Sequence, residues 1–470
     1  MTNLSSVSQP YENDIVHHLL ADEPALLSSL DFGPCVQQGK GAGASLLIGD
    51  QSEISLLGNA AQMQLDFRMA LLAQPGDLML VRRPDKAFED YLADYLGLSG
   101  MVFLGGDAKD IGPLAKQARR SDTAVAACVS AAAKAGGLTI QSYLTTGHVW
   151  RLARVIGQRA QCRVHVSGPS PRIMRRANDK LWFAQLARQI IGRDATPPTM
   201  AAYGPAAATG LVKRLSRTSA HVVVKVPDSA GSVGNIRLQS AAIRTTPPAV
   251  LRQFLRQRLH AVGWRDTYPI LVGVWDAQVT CSPSVQLWIP LAAEGPPVVD
   301  GVFEQHVRGT IGSFVGGAPS RLPQGIQTQL GHEAMQIARV LQKVGYYGRC
   351  SMDAVICQNA QPGRAIHWIE CNGRWGGVSI PMTVAQRLTG GHPALSIMQD
   401  VLPKVHLDTS GLINCTQDLL LQVGHRRSGL VILSPPDAPR GASLNLLAIA
   451  QQQDDADRLI EEALARVRAL

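Results

Sequence analysis

A strand-like segment at residues 368–377 carries side chains that suit a metal ion. It contains Glu370 and Asn372, followed by Arg374 and two glycines. Because side chains alternate between the two faces of a strand, Glu370 and Asn372 should point the same way, about 7 Å apart. Two oxygen-bearing side chains on one face suit a hard cation such as Mg²⁺ that phosphate oxygens also hold. This spacing also occurs on ordinary exposed strands, so other residues have to decide between the two interpretations.

A third candidate ligand is Asp353, in an apolar segment at residues 349–356. Residues 358–363 separate the two segments and contain Asn, Pro and Gly, which predicts a turn. If the segments pair as a hairpin around that turn, Asp353 lies opposite Glu370. Opposed carboxylates repel each other, and a divalent cation would relieve the repulsion. The pattern therefore makes Asp353, Glu370 and Asn372 candidate metal ligands, while acids on an ordinary exposed strand face would show the same pattern.

A lysine at the end of an aliphatic segment is a candidate phosphate contact. Lys225 follows three valines and leads into residues 227–236, which are rich in Gly and Ser. Small residues let backbone N–H groups approach an anion, and an ammonium group can neutralise its charge. A hairpin turn beside a solvent-directed lysine would show the same pattern, so both interpretations stay open here. The glycines at residues 39–43 precede a strand instead of following one, which predicts an entry loop and not a phosphate loop.

Length and composition bound the class of protein. A chain of 470 residues suggests about two to four domains. Its 46% hydrophobic and 17% charged residues are ordinary for a soluble globular protein, and we expect a cytoplasmic protein without a membrane partner or a secretory signal. The eight cysteines show no C-x-x-C pair, which favours reduced thiols. The net charge of +9 is dispersed, so we expect no nucleic-acid partner and a basic cleft for phosphate or acidic substrates.

The order of apolar segments predicts an α/β organisation. In the first part, alternating strands and helices predict a parallel sheet covered by helices. The predicted strands there are residues 45–48, 78–81, 101–104, 138–142 and 162–166, and the helices are 88–96, 124–135 and 148–156. Further on, the predicted helices are 180–188, 209–215, 251–260, 333–344 and 454–470, and the strands are 221–226, 268–275, 285–291, 429–433 and 444–450.

This series of features resembles the ATP-grasp superfamily over roughly residues 175–385. The resemblance implies an α/β and α+β fold. A pre-ATP-grasp, Rossmann-like α/β domain would occupy residues 1–170, followed by a two-subdomain ATP-grasp fold at 171–400. The lid would span about 198–275, and a small C-terminal α/β extension would occupy 401–470. In this family the two subdomains clamp ATP between them.

The resemblance also implies roles for single residues. Two arginines, Arg374 and Arg349, are candidates for the catalytic arginine, because Ser351 stands where the family often has one. The metal ligands would be Asp353, Glu370 and Asn372. The residues implied for the nucleotide are Lys180, Lys225, the lid-loop residues Ser229, Gly231, Ser232, Gly234 and Asn235, and the hinge residues Trp275 and Asp276.

The activity implied is that of an ATP-dependent carboxylate–amine ligase acting through an acyl phosphate. Its cofactors would be ATP and Mg²⁺ or Mn²⁺, and its substrates amino acids or peptides. The domain arrangement is most similar to pheganomycin-type peptide ligases of specialised metabolism, and a homodimer is compatible with it. Two alternatives stay open: another ATP-grasp chemistry, such as phosphorylation or acyl-CoA synthesis, and a nucleotide-binding regulatory protein without turnover.

Overall fold

The fold is described from a computed structural model. It covers residues 8–23, 32–56, 64–107, 110–227, 229, 234–309, 312–358, 366–438 and 441–470. No helix in these residues is both long and apolar enough to cross a membrane.

The N-terminal part contains a six-stranded parallel sheet in the order β1-β6-β5-β2-β3-β4. Helices lie between its strands, as the alternating pattern predicts. The short strand β1 is an addition to the predicted set. The strands are β1 Val36–Gln38, β2 Ser45–Ile48, β3 Leu78–Val81, β4 Val102–Gly105, β5 Gly137–Ser142 and β6 Arg163–Val166. The helices are α1 Ser8–Asp22, α2 Lys86–Leu96, α3 Leu114–Arg120, α4 Asp122–Ala135 and α5 Gly147–Ala160, with a 3-10 helix at Leu65–Leu72.

A four-stranded antiparallel sheet follows, in the order β7-β10-β8-β9. Its strands are β7 Thr199–Ala202, β8 His221–Lys225, β9 Asn235–Gln239 and β10 Ile270–Val274. Leu251, Leu255 and Leu259 recur at helical spacing and are buried against this sheet. The helices up to this point in the chain are α6 Pro171–Ala177, α7 Lys180–Ile190, α8 Pro205–Leu215, α9 Ser240–Thr245 and α10 Pro248–Ala261, with a 3-10 helix at Arg193–Ala195.

The remaining strands form one ten-stranded antiparallel sheet. β20 pairs with β17 from Ala394↔Ala450 to Pro403↔Gly441, so the C-terminal extension continues this sheet. The strands are β11 Val279–Cys281, β12 Pro283–Ile289, β13 Val298–Arg308, β14 Ser313–Pro319, β15 Gly348–Cys357, β16 Ile366–Asn372, β17 Ala394–Pro403, β18 Gly429–Ile432, β19 Asp437–Ala438 and β20 Gly441–Ala450. The helices are α11 Gln324–Lys343, α12 Ser379–Thr389, α13 Thr409–Thr416 and α14 Gln453–Arg468, with a 3-10 helix at Ala292–Glu294.

One face of β15 packs into the apolar core, and the other face carries the polar side chains of the site. Cys350 and Met352 point into a buried apolar cluster that includes Ile337 and Leu341 of α11. Because side chains alternate along a strand, Asp353 faces the other way. This second face of the sheet carries polar side chains, and it forms the floor of the site described next.

Candidate functional site

The acidic pair lies in the register that the sequence predicts. On β15 and β16, Asp353 pairs with Glu370 and Ser351 pairs with Asn372, and the register shifts directly after Asp353. The Ser284 hydroxyl donates to Asp353 Oδ1 at 2.6 Å, and Asn372 Nδ2 donates to Asp353 Oδ2 at 3.0 Å. The strand pairing therefore brings two carboxylates and an amide to one face of the sheet.

The two carboxylates are held at different pKa values. Burial raises the pKa of Asp353 to about 6, and the nearby Glu370 charge adds to the rise. Burial acts on Glu370 in the same direction, but Lys180, Arg374 and Lys225 outweigh it and keep the Glu370 pKa below its ordinary value. Asp353 is thus the less stabilised of the two carboxylates, although Arg374 also lowers its pKa. A cation bound between the two acids would stabilise its charge further.

Two lysines from different parts of the chain interact electrostatically with Glu370, and one of them forms an ion pair with it. Lys180 is the first residue of α7, and its Nζ lies 3.0 Å from Glu370 Oε2. The Asp179 side chain caps this helix by accepting hydrogen bonds from the N–H groups of Leu181 and Trp182. The cap fixes the start of the helix and therefore the position of Lys180. The Lys180 ammonium also donates to the carbonyl of Ser229, so it links the large sheet to the segment after β8.

Lys225 is the last residue of β8 and pairs with Asn235 of β9. Burial lowers the pKa of Lys225 to about 8, with Lys180 adding to the decrease and Glu370 and Asp276 opposing it. The lysine of the four-stranded sheet therefore lies within electrostatic range of the acidic pair. This arrangement favours an anionic ligand that would neutralise both ammonium groups.

The segment after Lys225 is tightly packed where it is described. Ser229 Oγ donates to the Val226 carbonyl at 2.9 Å, and Ser229 forms a bridge to Ser55 of the N-terminal part. A Cβ atom on Gly234 would lie 2.7 Å from Ser229 Oγ and 2.9 Å from Leu56 Cδ1, so any other residue at position 234 would force these side chains to move. Asn235 Oδ1 is buried and has no hydrogen-bond partner within the described part of the chain. Two other predicted loop residues, Gly231 and Ser232, lie outside the described residues.

The predicted hinge residues follow β10. The Trp275 N–H donates to the His221 carbonyl at 3.1 Å, and the Arg237 guanidinium lies 5.4 Å from the centre of the Trp275 ring. Asp276 Oδ2 lies 3.0 Å from His367 Nδ1 of β16. The contact of His367 with Asp276 could not be predicted from the sequence, because it depends on the pairing of β16 with β15.

The two candidate arginines occupy different environments. Arg374 Nη1 donates to Asn178 Oδ1 at 2.7 Å, and the Arg374 charge lowers the pKa of both Asp353 and Glu370. Asn178 also accepts from the Gly373 N–H at 3.2 Å, so it holds the loop that carries Arg374. The sequence gives no signal for this role of Asn178.

Arg349 lies four residues before Asp353 on β15, on the same face and about 13 Å along the strand. Its guanidinium lies 5.5 Å from the Trp288 ring centre and 5.4 Å from the Trp375 ring centre, and it forms an ion pair with Asp300. Burial lowers the pKa of Arg349 to about 10. Of the two arginines, Arg374 is the one that the structure brings to the acidic pair.

The donor set fits Mg²⁺ or Mn²⁺. Asp353, Glu370 and Asn372 offer hard oxygen atoms on one face, and the burial that raises the pKa of Asp353 would be offset by a bound cation. Gln305 and Ser284 both hydrogen-bond to Asp353, which fixes the orientation of its carboxylate. Neither supporting residue was among the sequence candidates.

Comparison with known proteins agrees with this architecture. Residues 66–158 match the model of the pre-ATP-grasp domain family. No curated protein matches the chain.

Solved structures share the fold over nearly the whole chain. A biotin carboxylase domain of the 2-oxoglutarate carboxylase from Hydrogenobacter thermophilus is 12% identical, with 91% of this chain and 90% of that chain covered at a TM-score of 0.56. The biotin carboxylase of Campylobacter jejuni is 14% identical, with 91% of each chain covered at 0.54. The N5-carboxyaminoimidazole synthase of Aspergillus clavatus is 11% identical, with 91% and 99% covered at 0.54. The chain therefore shares the fold of these carboxylase and synthase structures, and its residues 66–158 match the pre-ATP-grasp domain family.

Proposed function

We propose that the protein is an ATP-dependent carboxylate–amine ligase that forms ADP. The observation that carries this proposal is the ion pair of Lys180 with Glu370, directly opposite Asp353, together with the electrostatic interaction of Lys225 with Glu370. Two ammonium groups beside two carboxylates suit a ligand that combines phosphate oxygens with a divalent cation. The Hydrogenobacter structure contains MgADP and the Aspergillus structure contains ADP, which supports a nucleotide in the same fold.

In the proposed reaction, an oxygen of the substrate carboxylate attacks the γ-phosphorus of ATP and ADP leaves. A substrate amine then attacks the acyl carbon of the acyl phosphate, an amide forms, and inorganic phosphate leaves with the former carboxylate oxygen. The amine loses a proton in this step. The chain's own groups position the reactants and neutralise charge in this scheme.

The side chains divide the work as follows. Lys180 and Lys225 would neutralise the phosphate oxygens, and Trp275 and Asp276 would lie at the hinge beside the nucleoside. Asp353, Glu370 and Asn372 would hold Mg²⁺ or Mn²⁺. The bound ion would draw electron density from the phosphate oxygens and make ADP a better leaving group.

Arg374 is the candidate contact for the transferred phosphoryl group. Its charge lowers the pKa of both Asp353 and Glu370, and its guanidinium is held by a hydrogen bond to Asn178. Arg349, between Trp288 and Trp375, is the candidate contact for a substrate group farther from the acids. Amino acids or peptides are the proposed substrates, as in pheganomycin-type ligases of specialised metabolism. The alternative favoured by a specific observation is carboxylation, because the Hydrogenobacter structure contains bicarbonate.

The test is a screen for ADP release with amino acids and dipeptides, with and without added bicarbonate, and with mass spectrometry of the products. An amide product together with ADP and phosphate supports the ligase. A product heavier by one carboxyl group, formed only with bicarbonate, supports carboxylation instead. AMP as the product would contradict both. The Asp353→Asn variant serves as the inactive control.

A further inference from the structure

Three side chains from three segments meet where the chain leaves the four-stranded sheet and enters the large one. Asp276 follows β10, Cys357 ends β15, and His367 lies in β16. One ligand atom of each residue lies within 4.8 Å of the other two, and the His367 Nδ1 to Asp276 Oδ2 distance is 3.0 Å. Cys357 comes to this place because it pairs with Val279 of β11, and His367 because it pairs with Val355 of β15.

We propose that Asp276, Cys357 and His367 form a binding site for a Zn²⁺-type transition-metal ion, separate from the site of Asp353, Glu370 and Asn372. The two donor sets differ in chemistry. Sulfur, imidazole nitrogen and one carboxylate oxygen match the preferences of Zn²⁺ and Co²⁺, whereas Mg²⁺ prefers oxygen ligands alone. Three protein ligands leave a fourth position of a tetrahedral ion for water or another small ligand.

The site is sheltered and still open to an ion from solution. The His367 side chain is 18% exposed and that of Asp276 is 13% exposed, and Cys357 is half-buried. A fully sealed cluster would exclude the ion, and a fully exposed one would leave each side chain free to rotate away. Partial burial holds the ligands together and so lowers the entropy cost of binding.

The bound ion would restrict movement between the end of the four-stranded sheet and the large sheet. Asp276 belongs to the segment that leaves β10, whereas Cys357 and His367 belong to the large sheet. A metal bound by all three would tie the exit of the four-stranded sheet to the large sheet. Because the unfolded chain does not hold these ligands together, binding would stabilise the folded state.

The experiment is a Co²⁺ titration of the full-length protein after removal of metal, read by the near-ultraviolet charge-transfer absorption of a Co²⁺–thiolate bond. We expect one equivalent of Co²⁺ to produce this band and Zn²⁺ to displace it. The band should disappear in Cys357→Ser, and Co²⁺ affinity should fall by about 10-fold or more in His367→Gln. Cys281→Ser is the matched control, because Cys281 is a half-buried thiol on the adjacent strand β11 that pairs with Ile356.

A second readout is thermal unfolding with and without Zn²⁺. Zn²⁺ should raise Tm in the unchanged protein, in Cys281→Ser and in Asp353→Asn, raise it less in His367→Gln at the same Zn²⁺ concentration, and leave it unchanged in Cys357→Ser. A charge-transfer band that persists in Cys357→Ser, or no thiolate band at all, would overturn the site. Since no step depends on ATP turnover, an inactive ligase with an intact band would refute only the proposed function.

Discussion

The Lys180 ammonium nitrogen lies 3.0 Å from the carboxylate of Glu370, while Glu370 faces Asp353 across the strand pair. Glu370 therefore forms an ion pair with Lys180, whereas among the described residues Asp353 has only the longer-range positive charge of Arg374 acting on it. The opposite directions of their pKa shifts follow from this difference. Removal of Asp353 and removal of Glu370 should therefore change the stability of the folded protein by different amounts.

Asp353→Asn should leave the metal-free protein as stable as before or more stable by about 0.5–1 kcal/mol, because it removes the repulsion with Glu370. Glu370→Gln should destabilise by about 2–3 kcal/mol, because it leaves the buried Lys180 ammonium without its carboxylate. Both variants should lose ADP release. Urea unfolding in the presence of a chelator measures the stability difference, and equal losses in the two variants would contradict the assigned ion pair.

Nucleotide binding should weaken as the pH rises through about 8. Burial places the pKa of Lys225 near 8, so its ammonium is charged below that pH and loses its proton above it. Phosphate oxygens attract the charged form, and binding at pH 8–9 should therefore take up protons. Calorimetry with a non-hydrolysable MgATP analogue in buffers of different ionisation enthalpy measures this uptake.

Lys225→Arg is the control for that experiment, since its guanidinium stays charged throughout the range. Affinity in this variant should be independent of pH between 7 and about 9.5. The same decline with pH in both proteins would place the titrating group elsewhere.

A methyl group at position 234 should disturb the segment that carries Ser229. In Gly234→Ala the new Cβ would approach Ser229 Oγ to 2.7 Å and Leu56 Cδ1 to 2.9 Å, which requires one of them to move. We expect weaker binding of the MgATP analogue, by about 10-fold, and faster proteolysis near residues 227–236. Gly210→Ala is the matched control, because a Cβ there meets no atom within 4 Å. Equal affinities in the two variants would separate this segment from nucleotide binding.

Local patterns were sufficient for the acidic pair and for the elements around it. The hairpin predicted around residues 358–363 would place Asp353 opposite Glu370, and the pairing of β15 with β16 confirms that register. The start of the helix at Lys180 was predictable because Asp179 is a good helix cap, whereas the role of Lys180 was implied only by the resemblance to the ATP-grasp superfamily. The helix predicted at 333–344 does end before Gly345, whose φ is +97°, but it begins earlier, at Gln324.

The partners of these residues could not be predicted in the same way. Ser284 and Asn178 reach the site by sheet pairing and by loop packing across long stretches of chain. Nothing in the sequence around His367 distinguishes it from other strand histidines, and only the folded structure shows its contact with Asp276. Strand β1 has only three residues, and its pairing with β6 rather than its own sequence defines it. Long-range contacts of this kind carry no periodic signal.

Sequence patterns could not assign different roles to Arg374 and Arg349, but substitution of the two residues should affect different kinetic constants. Arg374 is held by Asn178 and acts on both acids, so its planar guanidinium is placed to bind two oxygens of a transferring phosphoryl group. Arg374→Lys should therefore keep MgATP binding and lose about 10²-fold or more in kcat, because an ammonium group cannot form that fork. Arg349 lies between Trp288 and Trp375 and farther from the acids, so Arg349→Lys should mainly raise KM for the carboxylate substrate. Steady-state kinetics of ADP release, with nucleotide affinity measured in parallel, compares the two variants. Full kcat in Arg374→Lys together with a loss in Arg349→Lys would exchange the two roles.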